Sequence, residues 1–198
     1  MKYDPTKHHR RSIRLKGYDY AQDGAYFVTI VTHDREFLCG EIVDGGIALS
    51  RAGRIVQHAW LDLQNHYPHV ILDEFVIMPN HVHGIFILMD QLVGRGGSVY
   101  GDIPLHDRMD DCVEIGLDMP RTRPYTRKCH GLPEIIWVFK SFSARRINAM
   151  RRTPGIPVWQ RNYYEHIVRN DEELARIRNY IRDNPLKWEV DRENPTRG

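Results

Sequence analysis

The segment 69–89 constrains the fold more than any other part of the chain. Two runs rich in β-branched and aromatic residues, HVILDEFVIM and HVHGIFILM, are separated only by Pro-Asn. Such runs favour β-strands, and a Pro-Asn turn between them favours an antiparallel pair. Because residues two apart in a strand project from the same face, His81 and His83 are predicted to lie side by side, with Val82 pointing away.

The rest of the chain adds helices and further strands to this pair. In chain order the patterns predict a strand (25–33), a hairpin (37–50), a helix (51–67), the strand pair, a helix (133–152), a strand (158–169) and a helix (171–184). Ser50 and Asn170 are predicted N-caps, and Pro185 ends the last helix. The first helix is predicted to bury Ile55, Ala59, Leu61 and Leu63. This order indicates the α+β class: a ferredoxin-like antiparallel sheet with helices packed on it.

Length and composition indicate one domain with appendages. The chain has 198 residues, 41% hydrophobic and 27% charged, and we divide it into a basic N-terminal arm (1–20) and a single domain (21–198) with a variable insertion at 91–133. Three cysteines at scattered spacings match neither a disulfide framework nor a zinc motif. No apolar run is long enough for a membrane span or resembles a signal peptide, so a cytoplasmic protein is expected.

Positive charge is concentrated in one segment although the net charge is only +2. Between residues 135 and 164 there is no acidic residue, whereas the basic residues there are Lys140, Arg145, Arg146, Arg151, Arg152 and Arg161. A polyanion such as DNA is therefore a candidate partner. Trp159, Tyr163 and Tyr164 are available to stack on unpaired bases, and a position in the core is an equal alternative for Trp137 and Trp159. A solvated helix face is the equally weighted alternative.

The last predicted helix offers groups that could work with the two histidines. Tyr180 and Asn184 are four residues apart, so they share one face and lie at the edge of its apolar stripe. If that edge meets the histidine-bearing strand, the Asn184 amide oxygen completes a three-ligand metal site beside the Tyr180 hydroxyl. The alternatives are structural: hydrogen-bonded histidines, a boundary tyrosine and a C-terminal cap.

Four blocks in order, PNHVHGIFIL, FKSFSARRINAM, VWQRNYYEHIVRN and YIRDNPLKW, resemble the single-tyrosine HUH transposases. The resemblance is greatest to the REP-associated, IS200-like tyrosine transposases, and it extends from Tyr26 to about residue 194. It implies that His81 and His83 bind a divalent metal and that Tyr180 is the nucleophile. It also implies a 5′-phosphotyrosine intermediate, single-stranded or hairpin DNA as partner, and in some members a homodimer.

The resemblance leaves several assignments open. The third ligand in the insertion-sequence branch is commonly a glutamine four residues after the tyrosine, whereas this chain has Asn184, with Glu165 and His166 as lower-ranked substitutes. Tyr163 and Tyr164 are rival nucleophiles. The resemblance implies Mg²⁺ or Mn²⁺, although two imidazoles by themselves favour softer ions than Mg²⁺.

Two alternative functions remain at this point. A hairpin-binding protein of the same descent that has lost catalysis would be consistent with asparagine in place of glutamine. An unrelated metal-dependent hydrolase would use the two histidines with water as nucleophile, and would then tolerate the change Tyr180→Phe.

Overall fold

A four-stranded antiparallel sheet organises the chain, as seen in a computed structural model that describes residues 17–89 and 130–197. Its strands are β1 (Gly24–Val31), β4 (Val70–Ile77), β5 (His81–Leu88) and β6 (Tyr164–Val168), in the spatial order β4-β5-β1-β6. β1 therefore lies between β5 and β6, which are the third and fourth strands of this sheet in chain order. This is the order of a ferredoxin-like sheet, so the predicted fold class is confirmed.

Local turn and cap signals place the N-terminal elements as predicted. β2 (Gly40–Val43) and β3 (Gly46–Leu49) form a separate hairpin, and its two turn residues have positive φ, 51° at Asp44 and 76° at Gly45. This pair of values matches the turn that fits the twist of a two-residue hairpin. The Ser50 hydroxyl accepts a hydrogen bond from the Gly53 amide and caps α1 (Arg51–Leu61), which continues into the short α2 (Leu63–His66).

One face of the sheet packs against α1 and α3 (Leu132–Arg151) to form the main core. Trp60 lies at the centre of this core, with its ring against Phe86 and Phe139. Because a Cβ at position 84 would overlap the Trp60 ring, this close approach requires Gly84 in β5. The main core thus fixes β5, the strand that carries both histidines.

The opposite face of the sheet is covered in part by α4 (Asp171–Asp183). Asn170 caps this helix through the Glu173 amide, as predicted, and Ile181 packs against Phe27 and Ile85 in a second apolar cluster. A 3₁₀ helix (Pro185–Val190) follows and returns the chain to the β2–β3 hairpin. The face that carries His81 and His83 is therefore also the face that α4 approaches.

Three sequence predictions differ from the structure or lie outside it. β6 is shorter than predicted, because Trp159 forms only an isolated bridge with Thr32 before the strand begins at Tyr164. Leu61 is 49% exposed rather than buried, because it is the last residue of α1 and projects away from the core. The predicted arm up to residue 16 and the insertion from 90 to 129 lie outside the described residues, while Tyr18 and Tyr20 pack on the main core.

None of the helices within 17–89 and 130–197 combines the length and the hydrophobicity that a membrane crossing needs.

Candidate active site

His81 and His83 lie side by side on β5, as the alternation of a strand requires. Their Nε2 atoms are 3.0 Å apart, and the two side chains are almost fully buried. Two imidazole nitrogens at this separation are both within reach of one ion at metal–nitrogen distances of about 2.1 Å. The pair is therefore arranged as two ligands of a single site.

Neighbouring side chains orient both rings. Asn80 donates its amide N–H groups to the backbone oxygens of Arg35 and Glu193, so its Oδ1 faces His81 and accepts the Nδ1–H at 2.8 Å. The hydroxyl of Thr29 lies 2.8 Å from Nδ1 of His83. A hydrogen bond at Nδ1 leaves Nε2 as the nitrogen available to a metal, which is the usual arrangement around metal-binding histidines.

Both histidines are neutral near pH 7. Burial lowers the pKa of His81 to about 4, although Asp191 and Asn184 oppose that shift. Burial also lowers the pKa of His83 well below its ordinary value, and its neighbour His81 adds to the shift. Neutral imidazole is the form that coordinates a metal, so protons do not compete for the site at neutral pH.

Two oxygen donors face the histidines. Asn184 is 2% exposed, and its Oδ1 has no hydrogen bond of good geometry within 17–89 and 130–197, although its side chain lies close enough to His81 to raise the pKa of that ring. A buried amide oxygen without a donor is costly, and a cation would satisfy it. The carboxylate of Asp191 is also buried, and its oxygen and the histidine nitrogens all lie within 4.8 Å of one another. These four side chains fit a small divalent cation with mixed nitrogen and oxygen ligands.

The Tyr180 hydroxyl lies 3.2 Å from Nε2 of His83 in the same chain. Its side chain is 43% exposed, so the hydroxyl borders the buried ligands while the ring remains open to solvent. Burial and the negative charges of Asp191 and Glu193 raise its pKa, and the Asn184 side chain lowers it. The phenol therefore stays protonated unless positive charge is added near the histidines.

Ion pairs with the edge strand hold the tyrosine helix in place. The guanidinium Nε of Arg178 donates to both carboxylate oxygens of Asp73 at 3.0 and 3.1 Å, and Arg182 pairs with Glu74 at 2.7 Å. Asp73 and Glu74 together oppose Ile85 in a β-bulge, so both can turn towards α4. The bulge thus supplies two anchors on the face that carries the active-site histidines.

The lower-ranked candidates are divided between the two faces of the sheet. Tyr164 and His166 lie on the same face as His83, and His166 contacts Glu173 at 2.9 Å. Glu165 is paired with Val28 and lies on the opposite face, with the main core. Tyr163 also packs against that core. Of this set, only Tyr164 and His166 share a face with the histidine pair.

The basic residues of α3 and of the segment that follows it lie on the face opposite the histidines, and several are already engaged. The ammonium group of Lys140 donates to the backbone oxygens of Gln160 and Arg161, and burial lowers its pKa to about 8. Arg146 lies 4.1 Å from the centre of the Phe142 ring, and Arg151 pairs with Glu36 at 2.8 Å. The three that remain exposed to solvent are Arg145, Arg152 and Arg161.

Of the two roles expected for Trp159, a core position is correct and base stacking is wrong. This residue is 7% exposed and donates its indole N–H to the Ser143 hydroxyl, so its ring is part of the core. Trp137, by contrast, is 67% exposed.

Sequence reasoning missed three residues of the site. Asp191 lies beyond the last predicted helix, Thr29 lies on β1, and Asn80 was assigned only to the turn. Thr29 could have been found from strand register, because it pairs with His83. The position of Asp191 in the sequence does not indicate that it lies near the histidines.

Comparisons with known proteins find two relatives by sequence. No model of a known protein family matches the chain. An uncharacterised protein of Haemophilus influenzae is 37% identical over 191 residues, which is 96% of each chain. A second H. influenzae protein, named as a candidate REP-associated tyrosine transposase, is 28% identical over 85% of this chain and 74% of its own.

The fold is also similar to that of a solved protein. A REP-associated tyrosine transposase bound to a REP hairpin matches with a TM-score of 0.50 and 16% identity, over 90% of this chain and 74% of that one. At this identity the match concerns the fold alone, and it agrees with the ferredoxin-like sheet. The chain therefore has the fold of a REP-associated tyrosine transposase, and it is similar in sequence to a protein named as a candidate member of that group.

Proposed function

We propose that this protein nicks and rejoins single-stranded DNA through a covalent link between Tyr180 and a 5′-phosphate. The observation that carries the proposal is the position of the Tyr180 hydroxyl, 3.2 Å from one of two adjacent buried imidazole nitrogens. A tyrosine nucleophile needs a phosphate held in line with its hydroxyl, and a cation site next to that hydroxyl is where such a phosphate would be held.

His81, His83 and Asn184 would hold a divalent ion, Mg²⁺ or Mn²⁺, with Asp191 as a further oxygen donor. The buried Oδ1 of Asn184, which no described donor satisfies, supports its inclusion. Asparagine and glutamine offer the same amide oxygen as a ligand. The shorter side chain of asparagine changes the distance that this oxygen can span, and the type of ligand stays the same. When bound, a divalent ion stabilises the charge that develops on phosphate oxygens as a Lewis acid.

The residues of the chain account for the reaction itself. The Tyr180 oxygen forms a bond to phosphorus, the bond from phosphorus to the 3′-oxygen breaks, and the leaving strand ends in a free 3′-hydroxyl. The phenolic proton passes to water as this happens, and the leaving 3′-oxygen takes up a proton from water, because Tyr180 is 43% exposed. Burial and the negative charges of Asp191 and Glu193 raise the pKa of Tyr180, and positive charge near its hydroxyl would oppose that shift. Rejoining is the reverse displacement, by a 3′-hydroxyl on the phosphotyrosine.

Hairpin DNA is the partner that we propose, because the solved relative is bound to a REP hairpin. Arg145, Arg152 and Arg161 are exposed and can neutralise backbone phosphates. They lie on the far side of the sheet from Tyr180, so a bound DNA would extend beyond the active site.

The test uses a pool of single-stranded hairpin DNA from the region that flanks the gene, with Mn²⁺ or Mg²⁺. One sample is labelled at the 3′ end and the other at the 5′ end, and both are separated on a denaturing protein gel. A 5′-phosphotyrosine retains the downstream fragment, so only the 3′ label should move with the protein. The labelled band should vanish in Tyr180→Phe and on addition of EDTA.

Matched variants separate the other readings. Tyr163→Phe and Tyr164→Phe should keep the band, and loss of the band in either of them instead of Tyr180→Phe would move the nucleophile. Hairpin binding without any band from the wild type would favour a binding protein. Cleavage that survives Tyr180→Phe but not His83→Ala would favour a hydrolase that uses water.

A further inference from the structure

Three aromatic rings form a row on the face of the sheet that carries the histidines. The ring of Phe27 lies at the centre, 6.0 Å from the ring of Tyr180 and 6.3 Å from the ring of Tyr164, and both contacts are edge-to-face. The Phe27 ring also stacks on His83 at 5.4 Å. Tyr164 is therefore linked to the active site through one shared neighbour.

Strand register gives the position of Tyr164. Thr29 of β1 is paired with His83 on one side and with Tyr164 on the other. Residues in register on neighbouring strands project from the same face, so Tyr164 lies about two strand spacings, roughly 10 Å, from His83. A side chain in this position is close to the site but does not belong to the ligand set.

The surroundings of Tyr164 leave its ring accessible. α4 is anchored on the β4 side of the sheet by Arg178 and Asp73, whereas β6 is the strand at the other edge. Tyr164 is 49% exposed, and its ring makes an edge-to-face contact with Phe27 on the sheet. α4 contacts β6 at His166 through Glu173, whereas Tyr164 is the first residue of β6, so its ring is the exposed aromatic surface of that strand beside Phe27.

We propose that Tyr164 stacks on the base of a nucleotide next to the scissile phosphate and so positions the DNA strand for attack by Tyr180. This inference rests on the proposed function and extends it to a specific DNA contact. An exposed aromatic ring with a fixed orientation is the side chain that single-stranded nucleic acids use as a stacking surface. Because stacking involves only the faces of the rings, it needs no hydroxyl, and phenylalanine should replace Tyr164.

The experiment measures adduct formation and DNA affinity with the DNA mapped in the gel assay. Tyr164→Ala should weaken DNA binding by about 5- to 150-fold, the equivalent of about 1–3 kcal/mol per stacked base. The loss should appear mainly in KM, and Tyr164→Phe should behave as the wild type. The same affinities are then measured with oligonucleotides that each carry one abasic site near the cut. At one position, the loss of affinity from removing the base and the loss from Tyr164→Ala should not add up when the two changes are combined.

Trp137→Ala is the matched control, because it removes an exposed aromatic ring from α3, which packs on the opposite face of the sheet. An equal loss in Trp137→Ala and Tyr164→Ala would overturn the proposal, since it would indicate a general effect of aromatic rings. Additive losses at every abasic position would also overturn it. Loss of the adduct in Tyr164→Phe would make Tyr164 a nucleophile instead.

A second measurement separates failure of this proposal from failure of the nicking reaction. In the Tyr180→Phe background, oligonucleotides with single 2-aminopurine substitutions report stacking by quenching of their fluorescence, with no need for cleavage. Quenching that persists in Tyr164→Phe and disappears in Tyr164→Ala would support the contact even if no adduct forms. Quenching that is unchanged in Tyr164→Ala would exclude it.

Discussion

Asn184 and Asp191 both offer an oxygen to the histidine pair, and only Asn184 has its oxygen without a hydrogen-bond donor in the described residues. We therefore expect Asn184→Ala to lower Mn²⁺ affinity more than Asp191→Asn, which keeps the oxygen geometry and removes the charge. Asn80→Ala should lower the affinity by about 10- to 100-fold, the usual effect of removing a group that orients a histidine ligand. The Mn²⁺ affinities of these three variants can be measured by titration, with electron paramagnetic resonance used to detect the free Mn²⁺.

His33→Ala is the control for these titrations, because His33 is exposed and pairs with Asp34 rather than with the site. His83→Ala should abolish binding. A larger loss in Asp191→Asn than in Asn184→Ala would make the carboxylate the third ligand and the amide a neighbour.

Acid should destabilise the metal-free protein through its buried histidines. The pKa of His81 is about 4 in the folded chain and about 6.5 when unfolded, so between these values the unfolded state binds more protons. The contribution of neutral His81 is complete above pH 6.5 and is lost as the pH falls towards 4, by up to about 3 kcal/mol. Urea unfolding in EDTA from pH 7.5 to 4.5 would measure this loss.

His81→Gln should reduce the pH dependence by about one proton, or about 1.4 kcal/mol per pH unit in that window. His83 has a lowered pKa as well, so some dependence should remain in the variant. An unchanged slope would show that His81 is not buried as a neutral ring.

At the scale of elements, the docking of α4 depends on the β4 bulge. The Arg178–Asp73 pair is the more buried of the two anchors, with 36% and 14% of the side chains exposed, against 58% and 28% for Arg182–Glu74. Arg178→Ala should therefore lower the free energy of unfolding by about 1–3 kcal/mol, and Arg182→Ala by about 0.2–1 kcal/mol. Urea denaturation measures both, and the yield of the Tyr180 adduct should fall in the same order.

Arg176→Ala is the comparison for this series, because Arg176 is on the exposed side of α4 and, among the described residues, pairs with Glu173 of the same helix. Arg176→Ala should change neither the free energy of unfolding nor the yield of the Tyr180 adduct. Equal effects of all three substitutions would mean that helix propensity, and not the bulge, determines the stability of α4.

The elements that sequence predicts well are those that local chemistry determines. Ser50, Asn170 and the Asp44-Gly45 turn specify caps and a hairpin within a few residues of themselves, and the structure agrees with each. The β4 bulge, the short β6 and the burial of Trp159 depend on partners more than ten residues away, so periodicity does not reveal them. The site divides in the same way: the histidine pair follows from alternation, whereas Asp191 depends on how the C-terminal segment folds back.

At the scale of the molecule, Arg145, Arg152 and Arg161 and the active site lie on opposite faces of the sheet. If DNA contacts both, Arg152→Ala and Arg161→Ala should each reduce the slope of log affinity against log salt concentration by about one. Arg151→Ala should change it less, because Arg151 is paired with Glu36. Hairpin binding measured between low and high salt would test this, and unchanged slopes would place the DNA on the tyrosine face alone.

We expect the site to work within one chain, because the Tyr180 hydroxyl lies 3.2 Å from Nε2 of His83 in the same chain and Arg178 pairs α4 with Asp73 of the same chain. A mixture of Tyr180→Phe and His83→Ala proteins should therefore form no covalent adduct, even after co-expression, since every chain lacks one essential group. In a dimer that exchanges the tyrosine helix, random mixing would restore roughly a quarter of the sites. Wild type mixed with each variant controls for inhibition by inactive protein. An adduct in the mixture of variants would mean that α4 leaves its own bulge and docks on a partner, so that the Arg178–Asp73 pair would form between chains.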